Sequence, residues 1–463
     1  MVTAVVTKKT KIICTIGPGS LMPKTLEQMI KAGMNCARIN TAYGNFDRYK
    51  KIINDIREID DIPIMVDLKG PEIRIKTQKE RTVHQGDYLD IGFGKEAISF
   101  NHNFFEQIEI NDLILIDNGR IRSSVNKKLD GIIRIKIEQG GVISDGKGVN
   151  IPNKQLCVPT LSSRDLKIIK LIEEYEIEFI ALSFTRNAED IKNLRSAADR
   201  FKGAVIAKIE NFEGIKNFEK ILAASEGIMV ARGDLGVEIE PEKVPLVQKS
   251  LIRMCNQAGK IVVTATEMLE SMMYQPFPTR AEVSDVANAI LDGTDATMLS
   301  GETAIGKFPV EAVNMMSRVA LEAEKAAVSS VKESGFINIS DTVSWSIQRI
   351  CQNMPLNKII TLTRSGYTAK MIARFKIPQS IIAVTSNPIT KRQLEIVYGV
   401  IPIHIDYQQE TDRIMSVVNR LCSMKMLQIE DTVLFTAAFR TKKKHASNLI
   451  EIHNIKELLS VNQ

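Results

Sequence analysis

The sequence predicts an α/β protein: a TIM (β/α)8 barrel with an inserted small β-barrel lid domain and a C-terminal α/β domain. Three observations predict it. Eight short apolar runs alternate with amphipathic stretches through the first two-thirds of the chain; one interval punctuated by Gly and Asn breaks the alternation; and the pattern restarts near residue 337. Because the runs are nearly continuous rather than alternating, they fit parallel strands covered on both faces. Eight such strands close a barrel. An open doubly wound sheet meets the same pattern and stays an alternative at this point.

In order, the predicted strands are residues 11–17 (KIICTIG), 36–40 (CARIN), 63–69 (PIMVDLK), 179–184 (FIALSF), 204–210 (AVIAKIE), 227–234 (GIMVARGD), 260–267 (KIVVTATE) and 295–302 (DATMLSGE). Helical periodicity fills residues 24–33, 46–59, 164–175, 188–200, 212–224 and 244–259. Thr279, with Glu282 three residues on, makes a capping box for a helix running to Leu291. From about residue 71 to 156 the text becomes short strands broken by Gly and Asn (HQGDYLDIG, LILIDNGRI, GKGVNIP), a lid inserted after the third strand. Beyond the polar stretch 329–340, apolar runs recur at 358–363, 380–385, 400–405, 432–436 and 449–455. The expected domains are therefore residues 1–70 with 157–335, residues 71–156, and residues 336–463.

At 463 residues the chain exceeds a single core. With 44% hydrophobic and 25% charged residues it has a globular composition, and no apolar run approaches the roughly 18 residues of a membrane helix. Its six cysteines lie far apart with no C-x-x-C pair, and no apolar stretch follows the first lysines. Both point to reduced thiols and a cytoplasmic location. A net charge of +6 suits anionic small molecules, whereas nucleic acid would need a clustered basic stripe. None of the five histidines falls at a barrel strand end or pairs with cysteine at zinc spacing, and there is no Walker-type phosphate loop.

Polar residues crowd the predicted strand ends: Arg38 and Asn40, Asp67 and Lys69, Ser183, Lys208 and Glu210, Arg232 and Asp234, Thr266 and Glu267, Ser300 and Glu302. Any one of them taken singly reads as a cap or a surface ion pair. A barrel, however, brings all its strand ends to one mouth. Glu210 and Asp234 on adjacent strands can hold a magnesium ion, with Lys208 as a point charge for a developing anion and Arg38 as a phosphate grip. A merely structural Lys208–Glu210 pair is the plainer alternative.

The motifs TKIICTIGPGS (10–20), ARIN (37–40), DLKGPEIR (67–74), GKGVNIP (146–152), KIENFEG (208–214) and MVARGDLGVE (229–238) resemble those of the pyruvate kinase family. So does the block from TATEMLESM to DVANAILDGTDATMLSGETAIGKFP, spanning 264–309. The resemblance implies transfer of the phosphoryl group of phosphoenolpyruvate to ADP, the last step of glycolysis, with Mg2+ or Mn2+. It implies Lys208, Arg38 and Thr266 as catalytic residues, with Arg38, Gly233, Asp234, Thr266 and Ser183 around the substrate. Arg74, Lys147 and Tyr43 would face the nucleotide, and Glu210 and Asp234 the divalent metal. A K+ site would use Asn40, Asp67 and Leu68. An effector loop for a phosphorylated allosteric ligand would use Thr363, Ser365, Gly366, Thr368 and Lys443, and the family implies a homotetramer.

Four departures qualify the resemblance. Thr41-Ala42-Tyr43 stands where the family commonly has Phe-Ser-His, which removes a hydroxyl from the K+ site and argues for weak or absent K+ dependence, whereas Glu72, which goes with K+-dependent members, points the other way. Leu68 replaces a Thr that lends only its backbone oxygen. Glu267 replaces a Gln, and Lys442-Lys443-Lys444 occupies a usually Gly-rich loop. Two rival readings remain beside it: another magnesium-dependent enolate lyase or aldolase, and a catalytically silenced binding protein of this kind.

Overall fold

The computed structural model describes residues 8–94, 96–327, 331, 338–407, 413–438 and 447–460. Eight parallel strands close into a barrel: Lys11–Thr15, Cys36–Asn40, Ile64–Leu68, Phe179–Leu182, Ala204–Ile209, Gly227–Ala231, Ile261–Ala265 and Ala296–Leu299. The first strand pairs with both the second and the eighth, so the sheet has no free edge and the open-sheet alternative is excluded.

Alternation along each strand sorts the side chains into two sets. Ile12, Cys14, Ala37, Ile39, Val66, Ile180 and Val205 face outward into the layer under the helices. Ile13, Cys36, Met65, Ala181, Ile206 and Met229 face inward. Two residues further along, the inward positions change character: Ile13 is followed by Thr15, Cys36 by Arg38, Met65 by Asp67, Ala181 by Ser183 and Ile206 by Lys208. The polar mouth is thus the top layer of the same stack whose lower layers are apolar.

That apolar stack continues into the C-terminal part of the chain. There a five-stranded sheet runs in the order Val400–His404, Ser380–Thr385, Lys358–Leu362, Thr432–Ala437 and Leu449–Asn454, with only the last pair antiparallel. Ile359, Ile381, Ala383 and Phe375 share one core with the barrel interior, so this unit covers the end opposite the mouth. Charges reinforce the contact. Glu178, fully buried, receives Arg57 at 2.8 Å, the Ile64 N–H at 2.7 Å and Arg392 at 2.5 Å, and Lys376 meets Asp295 at 2.7 Å. A buried carboxylate needs partners of this kind to offset its lost hydration.

The segment between the third and fourth barrel strands forms a seven-stranded sheet and a two-stranded one. The edges of the larger sheet are drawn together by Val149 N–H to Ile73 O (2.8 Å), Ile75 N–H to Lys147 O (2.9 Å) and an Arg74–Gly148 bridge, which gives it its barrel-like shape. Its interior is a separate cluster of isoleucines around Phe100 and Phe104.

Several boundaries differ from the sequence reading: the seventh strand stops at Ala265 and the eighth at Leu299, with Glu302 in a short helix Gly301–Ala304. The sixth strand stops at Ala231, where pairing with Ala265 ends, and Arg232–Glu238 is a short helix; Asp234 therefore sits in a helical first turn. The stretch 212–224 is two helices, Phe212–Lys216 and Phe218–Ala224, parted at Asn217, whose side chain donates to Arg186 O at 2.9 Å. The capping box at Thr279 and Glu282 forms, and its helix spans Arg280–Leu291. The six cysteines are free thiols, four of them buried, with Cys157 exposed and Cys422 half-buried.

Candidate active site

Arg38 and Thr15 stand side by side on neighbouring strands, and the guanidinium donates to the Thr15 hydroxyl at 2.8 Å. From its other side it grips Asp67, at 2.7 and 2.8 Å. Asp67 turns its second oxygen to the Ser183 hydroxyl (3.2 Å) and to Lys208 (3.3 Å). The Lys208 ammonium also donates to Ser183 at 2.8 Å and meets Glu210 at 2.9 Å. These four charged groups and Ser183 are each less than a tenth exposed, so a continuous ionic chain closes the top of the barrel interior.

Glu210 is held from a second side. Phe184 takes a left-handed φ of 53° and its N–H donates to Glu210 at 2.6 Å. The pKa values reflect this crowding. Burial alone would lower the Lys208 ammonium, but Asp67 and Glu210 outweigh it and hold the pKa above its ordinary value. Burial works against the Asp67 carboxylate too, yet Lys208 and Arg38 keep it low. Glu210 goes the other way: burial and the nearby Asp234 charge push it up to about 7, despite Lys208. Burial also raises Asp234, with Glu72 adding repulsion.

The two carboxylates touching Lys208 thus differ: Asp67 has two cations, whereas Glu210 shares one and faces Asp234. A pair of buried carboxylates with raised pKa is a charge deficit that a hard divalent cation fits. Among the described residues no group of three or more His, Cys, Asp or Glu gathers around one point. These two acids would leave most positions on such an ion to substrate and water.

Across the mouth, the Thr266 hydroxyl accepts the Gly233 N–H at 2.8 Å. Between barrel and lid lies a cleft of about 370 Å3 whose wall includes Tyr43, Arg74, Lys147 and Asp234. The lid meets the barrel across it through Asn150, which donates to Glu238 at 2.8 Å. Tyr43 is largely exposed, Arg74 pairs with Glu72, and Lys147 with Asp117 at 2.8 Å.

Around the expected K+ position, the Asn40 side-chain oxygen accepts the Ala42 N–H at 3.1 Å, Asp67 is engaged as above, and the Leu68 side chain is fully buried. In the C-terminal unit, the Thr363 hydroxyl accepts the Gly366 N–H at 3.0 Å and Thr368 bonds Ser447 at 2.5 Å. The Thr363 hydroxyl thus serves the loop itself and the Thr368 hydroxyl ties it to Ser447, while Ser365 is exposed; Lys443 lies outside the described residues. Six participants were not singled out for these contacts by sequence: Thr15, Asp117, Asn150, Phe184, Glu238, and Asp67 as the partner of Arg38 and Lys208. Inward parity two residues past Ile13 and Met65 was the available signal for Thr15 and Asp67.

Family sequence models described as "Pyruvate kinase, barrel domain" and "Pyruvate kinase, alpha/beta domain" match residues 7–313 and 341–453. Pyruvate kinases of Sporosarcina psychrophila and Geobacillus stearothermophilus are each 40% identical over 480 aligned residues, 98% of this chain and 82% of theirs. The chain belongs to the pyruvate kinase family. Its fold agrees: the solved structure of a Cryptosporidium parvum pyruvate kinase superposes with a TM-score of 0.89 at 34% identity, over 97% of this chain and 96% of that one. As a pyruvate kinase family member it is a phosphotransferase, moving the phosphoryl group of phosphoenolpyruvate to ADP to give pyruvate and ATP. The lyase or aldolase alternative falls with this match. Divalent-metal and potassium dependence are properties of the family.

The raised pKa of Glu210 has a measurable consequence. Below its pKa of about 7 the carboxyl is protonated, and a divalent cation must displace that proton. Titration of the substrate-free protein with Mn2+ should show weakening affinity as pH falls below 7, approaching about tenfold per unit. An affinity unchanged between about pH 6 and 8 would contradict the assignment of Glu210 to the ion.

Proposed function

We propose that phosphoryl transfer in this pyruvate kinase family member runs over the ionic chain Arg38–Asp67–Lys208–Glu210, with Lys208 stabilising the transferring group. The observation that carries this reading is the buried Lys208 ammonium, which meets Asp67, Ser183 and Glu210 at the barrel mouth. A cation kept charged in a dry site is worth far more to a developing anion than one in water. Arg38 has its planar fork preset by Asp67 and Thr15, and Ser183 offers a hydroxyl beside Lys208. Gly233 and Thr266 hold the carboxylate side of phosphoenolpyruvate, with Asp234 next to them.

Glu210 and Asp234 are the residues that would hold Mg2+ or Mn2+, which when bound neutralises charge on the phosphate and substrate oxygens. Arg74, Lys147 and Tyr43 line the lid cleft where ADP enters, and closure of the lid would expel water from the mouth. A relay from Thr266 through water delivers the proton to the enolate. A homotetramer in the cytoplasm, responsive to a phosphorylated effector, is the assembly and setting we carry over from the family.

For the monovalent ion we propose reduced or absent K+ activation. Ala42 offers no hydroxyl, and the side-chain oxygens of Asn40 and Asp67 already have donors. Glu72, a mark of K+-dependent members, pairs here with Arg74 and with Lys69 at 3.5 Å.

Two assays test these roles. Lys208→Met should leave the circular dichroism spectrum intact and lower pyruvate formation in a coupled assay by at least about 100-fold; near-normal turnover would remove Lys208 from the mechanism. Activity in Na+, in K+, and in neither should be similar, and strong activation by K+ alone would reject the monovalent-ion proposal.

A further inference from the structure

Thr266 is an unusual residue to find at a catalytic mouth in its observed conformation. Its φ is 67° and that of Glu267 is 52°, two consecutive non-glycine residues in the left-handed region. For a β-branched side chain this conformation is costly, and it persists only where the surroundings impose it. Yet the turn fixes the hydroxyl where it accepts the Gly233 N–H at 2.8 Å.

The surroundings that impose it are mainly one side chain. Arg232, 7% exposed, donates to Thr266 O from two nitrogens at 2.6 and 3.2 Å and to Glu267 O at 2.8 Å. Its remaining edge is neutralised by Asp285, at 2.6 Å, on the helix Arg280–Leu291. Both carbonyls of the strained turn therefore point at one planar cation, and the residue after that cation in the chain, Gly233, donates its N–H to the Thr266 hydroxyl.

We propose that Arg232 is a positioning residue for phosphoryl transfer: it holds the Thr266–Glu267 turn in its left-handed form and thereby fixes the Thr266 hydroxyl against Gly233. This deepens the reading above and rests on it, since it takes Gly233 and Thr266 as the carboxylate-side contacts. The guanidinium is occupied by protein partners: the two turn carbonyls, Asp285, Gln248 and the Met268 sulfur at 2.8 Å. A lysine lacks the planar fork needed to bind two carbonyls and a carboxylate together.

The test is a double-mutant cycle in the full-length protein, with kcat and the KM of each substrate measured for Arg232→Met, Arg232→Lys, Thr266→Val and Arg232→Met with Thr266→Val. If Arg232 acts through Thr266, Arg232→Met should lower kcat/KM for phosphoenolpyruvate by at least about tenfold while the KM for ADP stays within about twofold. In the Thr266→Val background the same change should add less than about threefold. Arg232→Lys keeps the charge and should recover only part of the loss. Full additivity of the two substitutions, or equal losses toward both substrates, would overturn the proposal. Should Arg232→Met fail to fold, the same non-additivity is required of Arg232→Lys. Wild-type kinetics in Thr266→Val would instead sink the underlying assignment of Thr266, a different failure from wild-type kinetics in Arg232→Met with an impaired Thr266→Val.

Discussion

The contact between the Lys208 ammonium and the two carboxylates of Asp67 and Glu210 is the constraint on which the site depends. Burying a lone lysine costs several kcal/mol, which would drive it to its neutral form. Here the two acids more than offset that cost and keep it charged. Asp67 is satisfied in turn by Arg38, so one carboxylate orders both cations. What remains unbalanced is the far end of the chain, where Glu210 and Asp234 carry raised pKa values. The chain is thus electrostatically finished at its Arg38–Asp67 end and deficient in positive charge at Glu210 and Asp234.

The barrel makes this arrangement possible at low structural cost. Strand alternation points every second residue inward, and the lower inward layers are apolar and sealed by the C-terminal sheet. Polar residues at the top layer rest on a rigid packed stack, as a preorganised site requires. The inserted segment, with its own core, contributes the remaining wall of the cleft beside the barrel mouth.

Much of this was legible in the sequence. Continuous apolar runs gave the eight strands, and the Gly- and Asn-punctuated interval gave the insertion. The adjacency of Lys208, Glu210 and Asp234 followed from strand order alone. Other features were hidden because they depend on register and backbone conformation. That Asp67 would serve Arg38 and Lys208 requires knowing how far neighbouring strands are staggered. The left-handed turns at Phe184 and Thr266 belong to residue types that avoid positive φ, so nothing in composition announced them. Arg232 looked like one more strand-end charge, until the strand proved to stop one residue earlier and to turn its guanidinium beneath the Thr266 loop. Glu267 is explained only in part: its backbone carbonyl serves that clamp, and nothing in the structure accounts for its carboxylate.

The most direct measurement is a crystal structure with Mn2+ and a non-reactive phosphoenolpyruvate analogue bound. The account requires the ion's anomalous signal between the carboxylates of Glu210 and Asp234, with the Lys208 ammonium within hydrogen-bonding distance of the analogue's phosphate-equivalent oxygens. Mn2+ seated elsewhere, with both acids idle and Lys208 still paired only with protein, would contradict it.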